Sequence, residues 1–229
     1  MAWWVRPAFV LTCNDPRGPA AKRVCCPAMK TCAYAGEPFS ALRSHPWLDS
    51  ASDPNARYHD FRASPQLIQS ALEDFVPWAR FSAVQAFYTL LRRLNHERST
   101  LETNDCEFTG PHANETPSIA KALSCSGRLM LLFRALRQNT EASLLESLEH
   151  GLHVQLNELD EAFAWGLVGT TIVPTRFLAL PAANDQQLGN QLMISFWAWG
   201  DTEADTMQNL GRLFTNLTRA LRSVVDSPR

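Results

Sequence analysis

A long polar segment separates two strongly helical patterns, and it limits what this chain can fold into. It covers residues 95–117, NHERSTLETNDCEFTGPHANETP, and holds few apolar side chains that could anchor it in a core. Connections of this length are uncommon in compact domains unless they are functional, disordered or contain a short element. Ser99 and Glu102 fit a capping box, which predicts a short helical turn. The segment is therefore predicted to be a partly structured connector and the first place to look for a site.

Apolar residues at helical spacing on both sides of this segment predict a helical body of about four helices. Proline directly after a capping residue marks two of the starts, at Ser64-Pro65 and at Thr116-Pro117. The third helix contains the run LMLLF, which spreads apolar surface widely and predicts a central position in the core. The helices are expected at about residues 65–75, 81–94, 117–136 and 141–159.

The last third of the chain has a different character, which predicts a β-hairpin followed by a helix. Residues 168–180 are rich in β-branched side chains, and residues 191–200 form a second strand-like run. Pro174 predicts an edge strand or a bulge. Asp201-Thr202 then caps a long amphipathic helix. An apolar stripe of this length more often packs on a sheet than in a coiled coil, and a homodimer formed through this helix is the alternative. A lone hairpin is only marginally stable, so a third strand is expected, and residues 8–11 are a candidate.

These elements predict an α+β fold, in which a helical body of about four helices carries a C-terminal β-hairpin followed by a long amphipathic helix. Residues 64–229 are predicted to form a single α+β domain. Residues 1–63 are predicted to be an irregular, partly disordered leader rich in proline and cysteine, because prolines recur there too closely for long helices or central strands. The first 30 residues are also basic, so a tail that docks on an acidic partner is an alternative.

Composition places the chain among ordinary globular proteins. Its 229 residues are 45% hydrophobic and 19% charged, with a formal net charge of −2. That charge gives no general reason to expect a nucleic-acid or anionic membrane partner. No apolar run is long enough for a transmembrane helix, and the N-terminus has the wrong order for a signal peptide, so a cytoplasmic location is expected. The six cysteines form no C-x-x-C pair and are expected to be free thiols, and no metal or cofactor is predicted.

Five polar residues of the 95–117 segment are the leading site candidates: Glu102, Asn104, Asp105, Glu107 and His112. Carboxylates that meet in a partly buried cleft shift one another's pKa and can serve as acid and base. Asp105 and Glu107 alternate, so an extended backbone would place both on one side with Cys106 opposite. The alternative is a solvated loop whose Asn and Asp side chains make turns and caps.

Further candidates lie on the fourth predicted helix and on the hairpin. A helix face with metal-binding potential carries Glu146, His150 and His153, although surface histidines are the commoner explanation. Trp197 and Trp199 share a strand face near Arg176 and could stack on a planar ligand or line a partner surface. The alternative for these tryptophans is core packing beneath a helix. Arg128 completes the set of candidate binding residues.

Two hypotheses of function are consistent with these residues. The first is a non-enzymatic interaction or accessory protein that binds a protein partner through the acidic 95–117 segment, the aromatic hairpin or both. The second is a small hydrolase or metal-dependent enzyme that uses Asp105, Cys106, Glu107 and His112. The spacing of those four residues matches no recognised catalytic motif, so the first hypothesis is preferred.

Overall fold

The computed structural model describes residues 30–33, 42–47, 58–159, 165–182 and 187–226, and these form one mixed sheet covered on one face by α-helices. The strands of the sheet are β1 (Lys30–Ala33), β2 (Arg43–His45), β3 (Leu101–Ala113), β4 (Leu123–Phe133), β5 (Gly166–Phe177) and β6 (Leu188–Gly200). The α-helices are α1 (Ser82–Leu94), α2 (Ala142–Glu158) and α3 (Glu203–Asp226). Short 3₁₀ helices cover Pro65–Gln69, Glu73–Trp78 and Leu136–Thr140.

The strand order is β1-β5-β6-β4-β3, and β2 also pairs with β5. Neighbours from β5 to β3 are antiparallel, whereas β1 and β2 run parallel to β5. Pro174 falls between the parts of β5 that pair with β1 (residues 167–170) and with β2 (residues 175–177). Pro174 still pairs with Asn190 of β6 on one side of β5. On the other side no described strand pairs with β5 at this point, so the missing N–H of proline costs no ladder hydrogen bond there.

The sheet curls so that β2 approaches β3, although the two strands lie at opposite ends of the strand order. The side-chain amide of Asn104 on β3 donates to the Ser44 carbonyl on β2 at 3.0 Å. The same amide donates to the Gln191 Oε1 atom of β6 at 3.1 Å. One asparagine therefore ties together three strands that are far apart in sequence.

The main core lies between the helices and one face of the sheet. On β4, alternate residues such as Cys125, Leu129 and Leu131 are fully buried against the helices. The Phe196 ring of β6 packs against both Phe87 of α1 and Phe214 of α3, with ring centroids 6.2 and 4.9 Å away. This face follows the period of two that a half-buried strand requires.

The prediction of a helical body with a C-terminal hairpin is wrong. The polar 95–117 segment contains β3 rather than a capped helical turn, and the third predicted helix is β4. The two strands pair in antiparallel register over nearly their whole length. In β4 the small or polar residues Ser124, Ser126 and Arg128 alternate with Cys125 and Leu129, and that alternation outweighs the apolar run LMLLF that follows it.

Other predicted elements agree better with the structure. Helices α1 and α2, the antiparallel β5–β6 pair and α3 are confirmed close to the expected bounds. The first predicted helix is instead two short 3₁₀ helices. The cap of α3 is confirmed, because the Thr202 hydroxyl accepts from the Asp205 amide at 3.1 Å.

Residues 8–11, proposed as a third strand, lie outside the described residues. Two short strands, β1 and β2, nevertheless come from the 1–63 stretch that was predicted to be irregular. The apolar stripe of α3 packs inside the chain: Met207, Leu210 and Leu217 are at most 1% exposed. In the described part of the chain, no helix combines the length and the apolarity that crossing a membrane would need.

Candidate binding site

The candidate residues of β3 lie on the sheet face opposite the α-helices, which we call the distal face. Asp105 and Glu107 oppose Met130 and Arg128 of β4 on this face, while Cys106 between them points into the core side. Burial raises the pKa of the Cys106 thiol far above its ordinary value, and neighbouring Asp105 raises it further. A thiol held protonated in this way is a poor nucleophile.

Four charged side chains of the distal face form what we call the charge cluster: Arg43, Asp105, Glu107 and Arg128. Arg128 contacts the Glu107 carboxylate at 2.8 Å and the Asp105 carboxylate at 3.2 Å. Arg43 of β2 approaches the same Asp105 oxygen at 3.6 Å. That oxygen lies within ion-pair distance of both arginines but accepts no hydrogen bond from either. The Arg128 and Glu107 side chains remain 29% and 34% exposed, so they are the accessible part of the cluster.

The two arginines of the charge cluster also influence each other. Burial lowers the pKa of the Arg43 guanidinium, and the nearby Arg128 charge lowers it further, whereas Asp105 and Glu107 raise it. Arginine stays charged even so. The cluster therefore carries two positive and two negative charges, and it presents no net acidic surface.

A second, buried network holds β2 against β3. His45 Nδ1 donates to the Asn104 side-chain oxygen at 3.0 Å, because the Asn104 amide nitrogen is already committed to the Ser44 and Gln191 oxygens. His45 Nε2 lies 3.2 Å from the Glu102 carboxylate, so this contact needs a proton on one of the two groups. His45 and Glu102 are only 6% and 7% exposed.

Two arginines complete the environment of Glu102. Arg62 reaches its carboxylate at 3.4 Å and Arg134 approaches it at 3.7 Å. Arg134 also donates to the backbone carbonyls of His96 and Glu97 at 2.7 Å, which ties the end of β4 to the connection that follows α1. Glu102 and Asn104 therefore hold β2 against β3 and close the curl of the sheet.

The tryptophans of β6 form an apolar cluster on the distal face rather than beneath a helix. Trp199 is 5% exposed and packs with Ile119 and Leu167, while Trp165 and Trp197 lie against them partly buried. The prediction that Trp197 and Trp199 share a strand face is confirmed by their pairing with Ser126 and Ser124 of β4. Arg176 is exposed on the opposite face of β5, so the structure does not bring it together with these tryptophans.

His112 pairs with a serine rather than with Cys106. Its Nδ1 donates to the Gly110 carbonyl at 2.9 Å, which leaves Nε2 to accept from the Ser124 hydroxyl at 3.3 Å. His112 opposes Ser124 and Asp105 opposes Met130, six residues further along β4, which is about 20 Å at the usual strand rise. The structure therefore does not bring Asp105, Cys106, Glu107 and His112 together.

The predicted metal-binding face of α2 is also dispersed. Glu146 and His150 are exposed, whereas His153 donates to the Thr170 hydroxyl at 2.8 Å, and that hydroxyl donates to Glu149 at 2.6 Å. Burial lowers the pKa of His153, against the opposing effect of Glu149. Within the part of the chain that the structure describes, no group of three or more His, Cys, Asp or Glu side chains could hold a metal ion.

Sequence reasoning missed Arg43, His45 and Gln191, which complete the two polar networks. No local pattern marks β2, because it is three residues long and reaches β3 only through the curl of the sheet. Ser124 had a usable signal, since Ser124, Ser126 and Arg128 alternate along β4 as a strand requires. Comparison with known proteins adds nothing to this geometry: no family model, no curated protein and no solved structure matches the chain.

Proposed function

We propose that this chain is a non-enzymatic interaction protein that recognises a protein partner through the distal face, at Arg128, Glu107 and the adjoining Trp197. The observation that carries this proposal is the Arg128–Glu107 pair. It is held in a defined geometry by Asp105 and remains about one third exposed. Arginine and tryptophan are the side chains that most often dominate the energy of protein interfaces.

The charge cluster and the tryptophan cluster are adjacent on the sheet. Arg128 opposes Ser195 of β6, and Trp197 is the next residue of β6 on the same face, about 7 Å further along the strand. A guanidinium beside a partly buried indole offers a partner both a planar hydrogen-bond donor and an apolar contact. Acidity of the 95–117 segment does not carry the proposal, because each carboxylate of the charge cluster already has an arginine beside it.

The hydrolase hypothesis receives no comparable support from the geometry. Its four residues are divided between the two faces of the sheet and spread along about 20 Å of strand, estimated from the register and the usual rise per residue. Catalytic partners need contacts of about 2.6–3.2 Å or one bridging water.

Quantitative affinity capture with the full chain as bait tests the proposal. Two variants alter the distal face. Glu107→Lys reverses a charge of the cluster, and Thr109→Arg places a bulky cation two residues along β3 on the same face, opposite Ser126. Glu146→Lys on the exposed surface of α2 makes the same charge change as Glu107→Lys and is the matched control. A partner is expected to be recovered equally by the parent chain and the control, and at least about tenfold less by both distal-face variants.

Direct binding of the recovered partner to the purified chain then follows, with melting temperatures measured for every variant. Equal recovery with all variants, or an equal loss with Glu146→Lys, would show that the distal face is not the interface. The same conclusion would follow if partner recovery fell in proportion to the melting temperature of each variant, whichever face carries the substitution.

A further inference from the structure

Strand β2 is held to its two neighbours in different ways. It joins β5 through a parallel backbone ladder, and the His45 carbonyl accepts from the Leu178 amide at 2.9 Å. Toward β3 the described residues form no such ladder, and β2 is held there by hydrogen bonds and ion pairs that involve side chains. We call these contacts the β2–β3 seam; they join Arg43, Ser44 and His45 of β2 to Glu102, Asn104 and Asp105 of β3.

Both ring nitrogens of His45 face oxygen atoms in this seam. The Asn104 side chain offers His45 its oxygen, because its nitrogen already donates to the Ser44 carbonyl and to Gln191. The Nδ1 atom of His45 therefore carries a hydrogen and donates to that oxygen at 3.0 Å. The Nε2 atom lies 3.2 Å from the Glu102 carboxylate. A neutral imidazole with its hydrogen on Nδ1 would present a lone pair to that carboxylate, so the closed seam holds one extra proton in the His45–Glu102 pair.

Two arginines determine which member of the pair carries this proton. Arg62 lies 3.4 Å and Arg134 lies 3.7 Å from the Glu102 carboxylate. A guanidinium favours the ionised form of a carboxylate beside it. The proton therefore lies on the imidazole, and the closed seam contains a His45 imidazolium between the oxygens of Glu102 and Asn104.

The groups around the pair leave His45 as its proton-sensitive member. The Tyr58 ring lies 6.1 Å from the His45 ring, and burial raises the pKa of Tyr58 to about 12, so that this phenol stays neutral. His59 of the same turn stacks on Phe61 instead of joining the seam. The other charged groups nearby are an arginine and two carboxylates: Arg43, Asp60 and Asp105. Histidine is the side chain whose ordinary titration lies near neutral pH.

Loss of this proton turns an attractive contact into a repulsive one inside the protein. His45 and Glu102 are only 6% and 7% exposed, so water has little access to the space between them while the seam is closed. A buried polar group without a hydrogen-bond partner is costly. Separation of β2 from β3 relieves that cost, because it exposes the neutral imidazole and the carboxylate to water.

From this geometry we propose that the β2–β3 seam is a proton-dependent latch, closed while the His45–Glu102 pair holds the extra proton and opened as rising pH removes it. The closed state binds one more proton than the open state, so the ratio of open to closed chains rises by at most about tenfold for each pH unit. Opening also separates Arg43 from Asp105, which leaves the charge cluster with one arginine and two carboxylates. An effect of this charge change on partner binding rests on the proposed function, whereas the latch itself does not.

Nuclear magnetic resonance of the full chain without a partner tests the latch from about pH 5 to about pH 8, the range in which histidine titrates. The measured quantity is the protection of the Asn104 side-chain amide against exchange with water, corrected for the intrinsic rate at each pH. Between about pH 6 and about pH 8 this protection is expected to fall at least about tenfold, while that of the β6 backbone amides stays constant. The Nε2 atom of His45 is expected to lose its hydrogen over the same range.

Three variants separate the latch from other causes of pH dependence. In Glu102→Gln the new amide can donate to a neutral Nε2 atom, so the protection of Asn104 is expected to vary by less than about twofold across the range. Glu146→Gln makes the same change on the exposed surface of α2, and His59→Gln removes the neighbouring histidine. Both are expected to behave as the parent chain does.

The parent chain alone can refute the latch, whether or not each variant folds. Constant protection of Asn104 across the range would do so, and so would a fall in protection while His45 keeps its Nε2 hydrogen. Equal pH dependence in Glu102→Gln and the parent chain, or its loss in His59→Gln, would also exclude the latch. Because no partner is present, each of these results is independent of whether the distal face binds a protein.

Discussion

Substitution of Gly127 by alanine should severely disturb the β3–β4 pair that carries the distal face. A Cβ atom at this position would lie 2.3 Å from the Glu107 carbonyl oxygen and 2.5 Å from the Phe196 ring. Real Cβ contacts are essentially never shorter than 3.0 Å. Neither neighbour can give way easily, because one is strand backbone and the other is a fully buried ring packed against Phe87 and Phe214.

The magnitude can be estimated from the cost of overpacking. Extra methylenes in a packed core cost about 1–3 kcal/mol, and a clash with backbone places Gly127→Ala at the upper end, at about 3 kcal/mol. Whole domains are stable by only about 5–15 kcal/mol, so the loss is easily measured. Urea unfolding, with the midpoint and the m-value taken from each curve, gives the difference directly.

Gly211 supplies a control in which the same substitution should have the opposite sign. A Cβ atom there would meet Ala83 at 3.5 Å, which is ordinary van der Waals contact. Because Gly211 lies inside α3, alanine is expected to stabilise the chain by up to about 1 kcal/mol through helix propensity. The described register would be refuted if Gly127→Ala lowered the free energy of unfolding by less than about 1 kcal/mol. It would also be refuted if both substitutions changed that free energy in the same direction.

Three further outcomes test other parts of the structure. Burial raises the pKa of Cys125 from 9.0 to about 12, so above pH 9.0 the folded state binds more protons than the unfolded state. This thiol then lowers the free energy of unfolding by up to about 1.4 kcal/mol per pH unit, and Cys125→Ala should remove that part of the slope in alkaline urea titrations. Burial lowers the pKa of His153 below 6.5, so its contribution to stability is present above pH 6.5 and is lost as the pH falls. The melting temperature of His153→Gln should therefore fall less steeply than that of the parent chain when the pH is lowered. The Ser124 hydroxyl belongs to a residue that is 7% exposed, so a fluorophosphonate probe should leave it unmodified, whereas labelling that disappears in His112→Ala would reveal an activated serine.

The elements that sequence reasoning found are those whose pattern is local and uninterrupted. Helix α1 and helix α3 have broad apolar stripes at helical spacing, and α3 also has a hydroxyl cap at Thr202. Strand β3 escaped detection because two irregularities, one at Asn104 and one between Thr109 and His112, break its alternation. A bulge adds one residue to one strand, so the residues that face a given side of the sheet change from odd to even positions, or the reverse, beyond it.

The candidate site was predictable to the extent that it depends on β3 alone. Alternation placed Asp105 and Glu107 on one face with Cys106 opposite, and the register confirms this. The identity of their partners was not predictable, because Arg43 and Arg128 arrive from strands fixed by long-range pairing. Whether a carboxylate is an open acidic group or one side of an ion pair depends on those partners, and no local pattern contains that information.

The polar character of β3 has a structural explanation that is separate from function. It is the last strand in the sheet order, and charged residues and bulges at such an edge discourage pairing with other chains. The 3₁₀ helix at Glu73–Trp78 covers part of this edge, where the Phe108 amide lies 3.5 Å from the Asp74 carboxylate. Edge protection accounts for charge along β3, but it does not require an arginine on β4, which is an interior strand. Arg128 is therefore the residue of the charge cluster whose presence argues most directly for binding.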